Sequence, residues 1–317
     1  MAAPDQSPFP SFARPVNLPT SAPFKFSVCT LVTRPEEYAA MAASFVRAGF
    51  SPDDTEFLFS DNTGGNQLDA YRGYNLFLQT ARGEFIVLCH QDILLDHDRR
   101  EILEQRIREL DALDPAWALL GNAGCTQRFG LPITAIKISH PSGPETIGTF
   151  PTRVESLDEN FIVVKRSANL ALSHDLSGFH FYGTDLCRLA KILGCTAYAV
   201  DFHLLHKSLG KYDDSFFQSR AQLVKKYRQA LQGGQIFTTT GPVRLTGNAL
   251  ASWWFNSGRR EFLFTQIYRR RHDASDEIKR MRQELGEGWH AFFWCGYKIK
   301  QPLIKIRAWL GRKIFGG

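Results

Sequence analysis

The sequence predicts an α/β fold, a mostly parallel central sheet with helices on both faces, followed by a C-terminal helical basic segment. Three observations carry this. Short apolar runs alternate with amphipathic stretches of helical period through the first half of the chain. The runs are continuously apolar, as in parallel strands covered on both faces. Three successive runs end abruptly in polar groups, Thr33-Arg34, Asp61-Asn62 and His90-Gln91-Asp92. In sheets of this kind ligands bind beyond the carboxyl ends of the strands.

The elements follow in order. "KFSVCTLVT" (25–33) is β-branched and apolar and reads as a first strand. A helix follows it, with Pro35 suited to the first turn, Glu36 and Glu37 to its positive end and Gly49 to its C-terminal cap. "TEFLFSDN" (55–62) is a second strand, and "NQLDAYRGYNLFLQTARG" a second helix closed near Gly83. "EFIVLCHQD" is a third strand, and the next helix places Ile102, Leu103, Ile107 and Leu110 on one face. "AWALLGNAG" reads as a fourth strand. Residues 131–165 are β-rich and turn-rich, with "HPSGPETIG" a plain loop and "NFIVVKRSA" a further strand. A short helix "TDLCRLAKILG", a strand "CTAYAVDFHLLH" ending in His206 and a helix "DSFFQSRAQLVKKYRQALQGG" complete the regular part. The pattern sets three segments: a Pro-rich arm over 1–24, a main domain over 25–234 and an extension over 235–317.

Composition narrows the chemistry. The first strand–helix turn, "TLVTRPEE", contains no glycine, which disfavours a dinucleotide-binding G-x-G-x-x-G, and no G-x-x-x-x-G-K-[ST] occurs. The six cysteines form no C-x-x-C pair, which disfavours a zinc ribbon and fits a reducing, cytosolic setting. No run is long enough for a membrane-spanning helix, and the N-terminus lacks an apolar signal core. The net charge of +6 equals that of residues 288–317 alone, where six Lys and Arg stand without Asp or Glu. A dispersed nucleic-acid footprint is therefore not indicated. A nucleotide diphosphate would instead be held through a divalent metal on carboxylate oxygens. Asp92 suits that role beside His90, and His206 ends another strand.

At this point a resemblance is plain. "SVCTLVTRPEEY", "FLFSDNTGG", "ARGEFIVLCHQDILL", "VESLDENFIVVKRSA", "GFHFYGTDLCRLAKILG" and "YDDSFF" occur in the order of a bacterial inverting family-2-like glycosyltransferase, over roughly residues 25 to 220. The chain resembles the subgroup with H-Q-D in place of D-x-D. The resemblance implies the GT-A fold, a nucleotide-diphosphate sugar as donor, a Mn2+ or Mg2+ ion, and a glycan or lipid-linked acceptor in surface polysaccharide synthesis. Asp92 matches the metal-binding carboxylate, and His206 a histidine facing metal or diphosphate. His90 replaces the first acid of D-x-D, and an imidazole ligand there favours Mn2+. Thr33 and Asp61, with Asn62, stand where the family contacts base and ribose, and Arg72 is a candidate for phosphate. For the catalytic base the resemblance favours Asp185 in "FYGTDLC", with Asp158 in "ESLDENF" as second choice; Gly183 stands where an earlier acid often occurs.

Duller readings compete. Asp61-Asn62 also suits an Asx turn, Asp185 a helix N-cap and His203 a structural histidine. The tail 298–317 interleaves cations with Leu303, Ile306, Leu310 and Ile314, which suits either an anionic membrane surface or packing on the chain's own domain. The first alternative implies a cytoplasmic protein, peripheral on the inner face of the plasma membrane. A second functional class is a non-catalytic, membrane-docked binder of nucleotide sugar or glycan.

Overall fold

In a computed structural model, residues 22–208, 213–231, 233–237 and 242–256 are described. The tail 298–317, most of the 1–24 arm and most of the extension lie outside them. The chain divides into two compact units, residues 1–227 and 228–317.

The first unit opens with β1 (Phe24–Val32), α1 (Pro35–Arg47), β2 (Thr55–Asp61), α2 (Ala70–Thr80) and β3 (Gly83–Cys89). A two-residue strand β4 (Ile93–Leu94), α3 (Arg100–Leu113), β5 (Trp117–Gly121) and β6 (Ala123–Arg128) come next. β7 (Leu131–His140), β8 (Gly143–Ile147), β9 (Thr152–Val154), β10 (Ser156–Leu157) and β11 (Phe161–Lys165) form the β-rich middle. α4 (Tyr182–Ile192), β12 (Thr196–Ala199), β13 (Leu204–His206) and α5 (Asp214–Ala230) close it, the division between units falling within α5. The second unit contains an antiparallel hairpin of β14 (Gly234–Phe237) and β15 (Pro242–Leu245), then α6 (Ala249–Asn256).

The main sheet has the order β2-β1-β3-β11-β5-β12-β9. β2, β1, β3, β5 and β12 run one way, and β11 and β9 run against them. Its two faces are covered by separate cores. Met41 and Phe45 of α1 and Leu103, Ile107 and Leu110 of α3 pack on Phe85, Val87 and Cys89. Tyr71, Tyr74 and Phe77 of α2 and Tyr182, Leu186 and Ala190 of α4 pack with Ile86 and Leu88. Burial on both sides is why 85–89 is apolar without alternation. A second sheet, β10-β6-β7-β13-β4 with β8 paired to β7, adjoins it. No helix among the described residues is long and apolar enough to cross a membrane.

Three expectations need correcting. Gly83 does not close α2: that helix ends at Thr80, and Gly83 opens β3, where an added Cβ would lie 2.6 Å from the β1 backbone. The glycine is there to let two strands approach. "HPSGPETIG" is not a plain loop, because Gly143–Ile147 pairs with Ile136–His140 as a hairpin arm. The run ending in His206 is two strands in different sheets. The chain leaves the main sheet after Ala199, and Phe202 N turns back to Val200 O at 2.9 Å.

Candidate functional site

The site lies where β1 and β3 release the chain. The backbone N–H groups of Thr33 and Arg34 both donate to Gln91 Oε1, at 2.9 and 2.8 Å, and Gln91 Nε2 donates to Thr33 Oγ1 at 2.8 Å. One side chain thus ties two strand ends together. Beyond it, the β4–β13 register sets His206 opposite Ile93, which places His206 beside Asp92. His206 Nε2 is 3.5 Å from Asp92 Oδ1 and 3.4 Å from His90 Nδ1. One ligand atom from each of His90, Asp92 and His206 lies within 4.8 Å of the others. Ser208 Oγ lies 3.2 Å from His206 Nε2, and Arg34 Nη2 lies 3.8 Å from Asp92 Oδ2.

The hydrogen-bond network assigns the His90 tautomer. The Tyr182 hydroxyl donates to the Glu159 carbonyl at 2.8 Å. Its oxygen therefore accepts from His90 Nε2, 3.1 Å away. That arrangement makes His90 Nδ1 the acceptor nitrogen, its lone pair turned toward His206 Nε2 at 3.4 Å. Burial, with Tyr74 and Glu159 nearby, raises the Tyr182 phenol, so its proton stays in place. Burial and then His206 push the His90 pKa down, against the pull of Asp92, and the ring is neutral. Burial pushes the Asp92 carboxyl up, but hydrogen bonds from His206 and Ser208 outweigh it and hold it well below the usual carboxylate range.

Two nitrogens and a carboxylate converge, with His206 Nε2 3.4 and 3.5 Å from the other two ligand atoms. Neighbouring ligands bonded at roughly 2.1 Å stand about 3 Å apart. Mixed imidazole and carboxylate donors suit a first-row divalent ion. The Tyr182 bond to the far nitrogen of His90 is the support that metal-binding histidines use. The residues fit a metal.

β11 brings a further turn to this edge, because its register sets Phe161 opposite Cys89. His90 N donates to Asn160 O at 3.0 Å. Asp158 is exposed, and its Oδ1 accepts from Asn160 N at 3.0 Å and from the Asn160 side-chain amide. Asn160 is fully buried, and its Oδ1 has no partner among the described residues. Glu159 is partly buried and directs Oε1 toward Gly183 N at 3.4 Å, at the start of α4.

Asp185 stands in a different setting. It is fully buried; Oδ2 accepts from Ser173 N at 2.8 Å, and Oδ1 from Ser173 Oγ at 2.8 Å and Tyr227 OH at 2.7 Å. None of these partners belongs to the histidine–aspartate group. Asp185 is not the N-cap of α4 either: the helix begins at Tyr182, capped by Phe181 in the left-handed region at φ 66°.

The other sequence candidates take simpler places. Asp61 is exposed, and its Oδ1 accepts from Thr63 N at 2.9 Å and Thr63 Oγ1 at 2.6 Å, an Asx turn that also lowers its pKa. Asn62 is buried and spans Leu68, accepting from its N–H at 3.2 Å and donating to its carbonyl at 2.8 Å. Its own N–H donates to Val32 O at 2.8 Å, so it stands next to Thr33 at the sheet edge. Arg72 is exposed in the first turn of α2, its N–H bound to the capping Asp69 at 2.9 Å. His203 bonds Ser139 Oγ at 2.8 Å and stacks on His97 at 3.9 Å. The structure also brings Gln91, Tyr182, Ser208 and Glu159 to this edge. Gln91 lay within the polar triplet; Tyr182 and Glu159 carry no spacing signal, because their partners are distant in the chain.

No protein-family model matches the chain. Among solved structures it is similar to the mannosyltransferase PcManGT from Pyrobaculum calidifontis in complex with GDP-Man and Mn2+, at 12% identity over 92% of this chain and 84% of that one, TM-score 0.42. It is also similar to GalNAc-T7 with UDP, GalNAc and Mn2+, at 8% identity over 64% and 48%, TM-score 0.40. A third is S. aureus TarS 1–349, at 13% identity over 58% and 60%, TM-score 0.39. A curated relative is closer: "ATP synthase subunits region ORF 6" of Fuscovulum blasticum is 38% identical over 226 residues, 70% of this chain and 91% of the relative. That name states no activity, but at this identity and coverage the chain belongs to the family of the Fuscovulum blasticum protein.

Proposed function

We propose that the chain is a metal-assisted, inverting glycosyltransferase of GT-A type, moving a sugar from a nucleotide-diphosphate donor to a hydroxyl of a glycan or lipid-linked acceptor. The observation that carries this is the convergence of His90, Asp92 and His206 at the carboxyl edge of the sheet, with an imidazole lone pair turned into the group. A divalent ion bound there would neutralise charge on the departing diphosphate. Arg34, beside Asp92, offers a further cation to the phosphates. Gln91 holds the Thr33–Arg34 backbone in place, and Asp61 and Asn62 shape the adjoining edge where base and ribose would lie. The acceptor's base comes from the 158–160 turn, which reaches the same edge, since the Asp185 carboxyl is occupied by three donors. The metal is Mn2+ in preference to Mg2+, on account of the imidazole donors.

That occupied Asp185 also motivates a second reading, a family member that binds nucleotide sugar without turning it over. The tail 298–317 would carry either protein to anionic lipid in a peripheral, cytoplasmic setting.

The test is a thermal-shift screen of nucleotide sugars with and without Mn2+, paired with release of nucleoside diphosphate. Ligand at a hundred times its Kd stabilises by about 2.7 kcal/mol, a shift of several degrees. Asp92→Asn is expected to keep its fold, lose the Mn2+-dependent shift and lose turnover by a factor of roughly 10^2 to 10^3. Full activity in that variant, or in the presence of EDTA, overturns the metal mechanism; binding without any release favours the second reading.

A further inference from the structure

The start of α4 carries no acid at 183 but receives one from another element. Gly183 lies in the first turn, and a Cβ there would meet the carbonyl oxygen of Leu157 at 2.4 Å. No acidic side chain can stand at that position in this backbone. The Glu159 carboxyl instead reaches the backbone there, Oε1 accepting from Gly183 N at 3.4 Å. It arrives from the β10–β11 turn, whose register against β3 brings it to the ligand edge of the sheet. Tyr182 joins it to the histidine group, with the phenol oxygen 2.8 Å from the Glu159 carbonyl and 3.1 Å from His90 Nε2.

Resting on the glycosyltransferase reading above, we propose that Glu159 is the general base of the transfer. A carboxylate oxygen of Glu159, held from the backbone side by N–H groups of Phe181, Tyr182 and Gly183, takes the acceptor's hydroxyl proton. The acceptor oxygen uses its electron pair to form the bond to the anomeric carbon. The bond from that carbon to the diphosphate breaks, and its electron pair leaves with the nucleoside diphosphate. Glu159 then returns its proton to water.

Two other carboxylates fit less well. Asp185 is fully buried and has committed both oxygens to Ser173 and Tyr227. Asp158 stands out in solvent with Oδ1 held by Asn160. Glu159 sits between these extremes. Burial, and then the Asp158 charge, push its carboxyl up to about 8, although the N–H groups of Gly183, Tyr182 and Phe181 pull it down. Tyr71 and Tyr74 from α2 and Tyr182 from α4 face it as well, all with raised pKa values and so uncharged. A base is most effective when its pKa lies near the working pH.

The experiment uses the full chain with Mn2+ and a panel of UDP-, GDP- and dTDP-sugars. Donor binding is read by melting shift, and turnover by nucleoside diphosphate release across pH. Wild-type turnover is expected to rise with pH and level off above about 8, as Glu159 deprotonates. Glu159→Gln should bind donor with unchanged Kd, lose roughly 10^2- to 10^4-fold in turnover and lose that rise. Glu159→Asp should recover part of the rate with the rise displaced. Turnover within a few-fold of wild type in Glu159→Gln, with the same pH rise, overturns the proposal while leaving the transferase reading intact. So does transfer of the whole effect to Asp158→Asn. If Glu159→Gln does not fold, an undisplaced rise in Glu159→Asp overturns it equally. A wild-type chain that binds no donor overturns the transferase reading itself, and this proposal with it.

Discussion

Asp185 and Asp92 are both buried, yet their surroundings differ in kind. Asp185 is enclosed by three donors that use both of its oxygens. It makes α4, the Ser173 loop and Tyr227 of α5 one unit. Asp92 faces two imidazoles, one of them neutral with its lone pair turned inward, and an arginine at 3.8 Å. Burial alone therefore does not mark a working carboxylate. What separates the two is the kind of group around the oxygen atoms: hydroxyl and amide donors of the core for Asp185, imidazoles that can share an ion for Asp92.

The comparison can be broken by stability measurements. The largest loss is expected from Asp185→Ala. It strands Ser173 N, Ser173 Oγ and the Tyr227 hydroxyl in the core, at ~1 to 3 kcal/mol each. A total of at least ~3 kcal/mol should appear in urea melts, with Mn2+ binding kept by the molecules that remain folded. Gly183→Ala should cost ~1 to 3 kcal/mol, since the 2.4 Å clash is with backbone and no rotamer relieves it. An unchanged midpoint there would mean that the α4 start can shift and admit an acid at 183.

A gentler effect is a slope with pH. Glu159 has its pKa raised from the ordinary 4.5 to about 8 in the folded chain, burial being the main cause. The folded state then holds a proton that the unfolded state has released. Its contribution is fully present below about 4.5 and is lost as pH rises through about 8. Glu159→Gln should flatten that slope in denaturation midpoints taken across this window. A smaller loss than that of Asp185→Ala is expected from Asp92→Asn without metal, since the amide oxygen can still accept from His206 and Ser208. Should that variant melt as early as Asp185→Ala, the two aspartates play the same part and the distinction drawn here fails.

Much of this was visible in the chain itself. The run Phe85–Cys89 announces a strand buried on both faces, and the polar break at His90 marks where that cover ends. His206 was also readable as a strand end. Its neighbourhood was not, because β4 is only Ile93–Leu94, too short for any periodic signal. The split between β12 and β13 escaped for a related reason: Val200 and Phe202 continue the apolar pattern while the chain changes sheets. Asp185 shows the deeper limit. Its spacing before an apolar helix suits a base, a cap or a buried clamp equally, and only Ser173 and Tyr227, 12 and 42 residues away, decide among them.

The seam between the two sheets has a mechanical consequence. β3 belongs to the main sheet, whereas β4 and β13, which frame Asp92 and carry His206, belong to the smaller one. His90 and His206 therefore sit on opposite sides of a joint. A cation gripped by both would act as a rivet, setting the angle of one sheet against the other as well as meeting a phosphate. Slippage at the joint, however far from the chemistry it began, would be felt first as a change in the spacing of the three ligands.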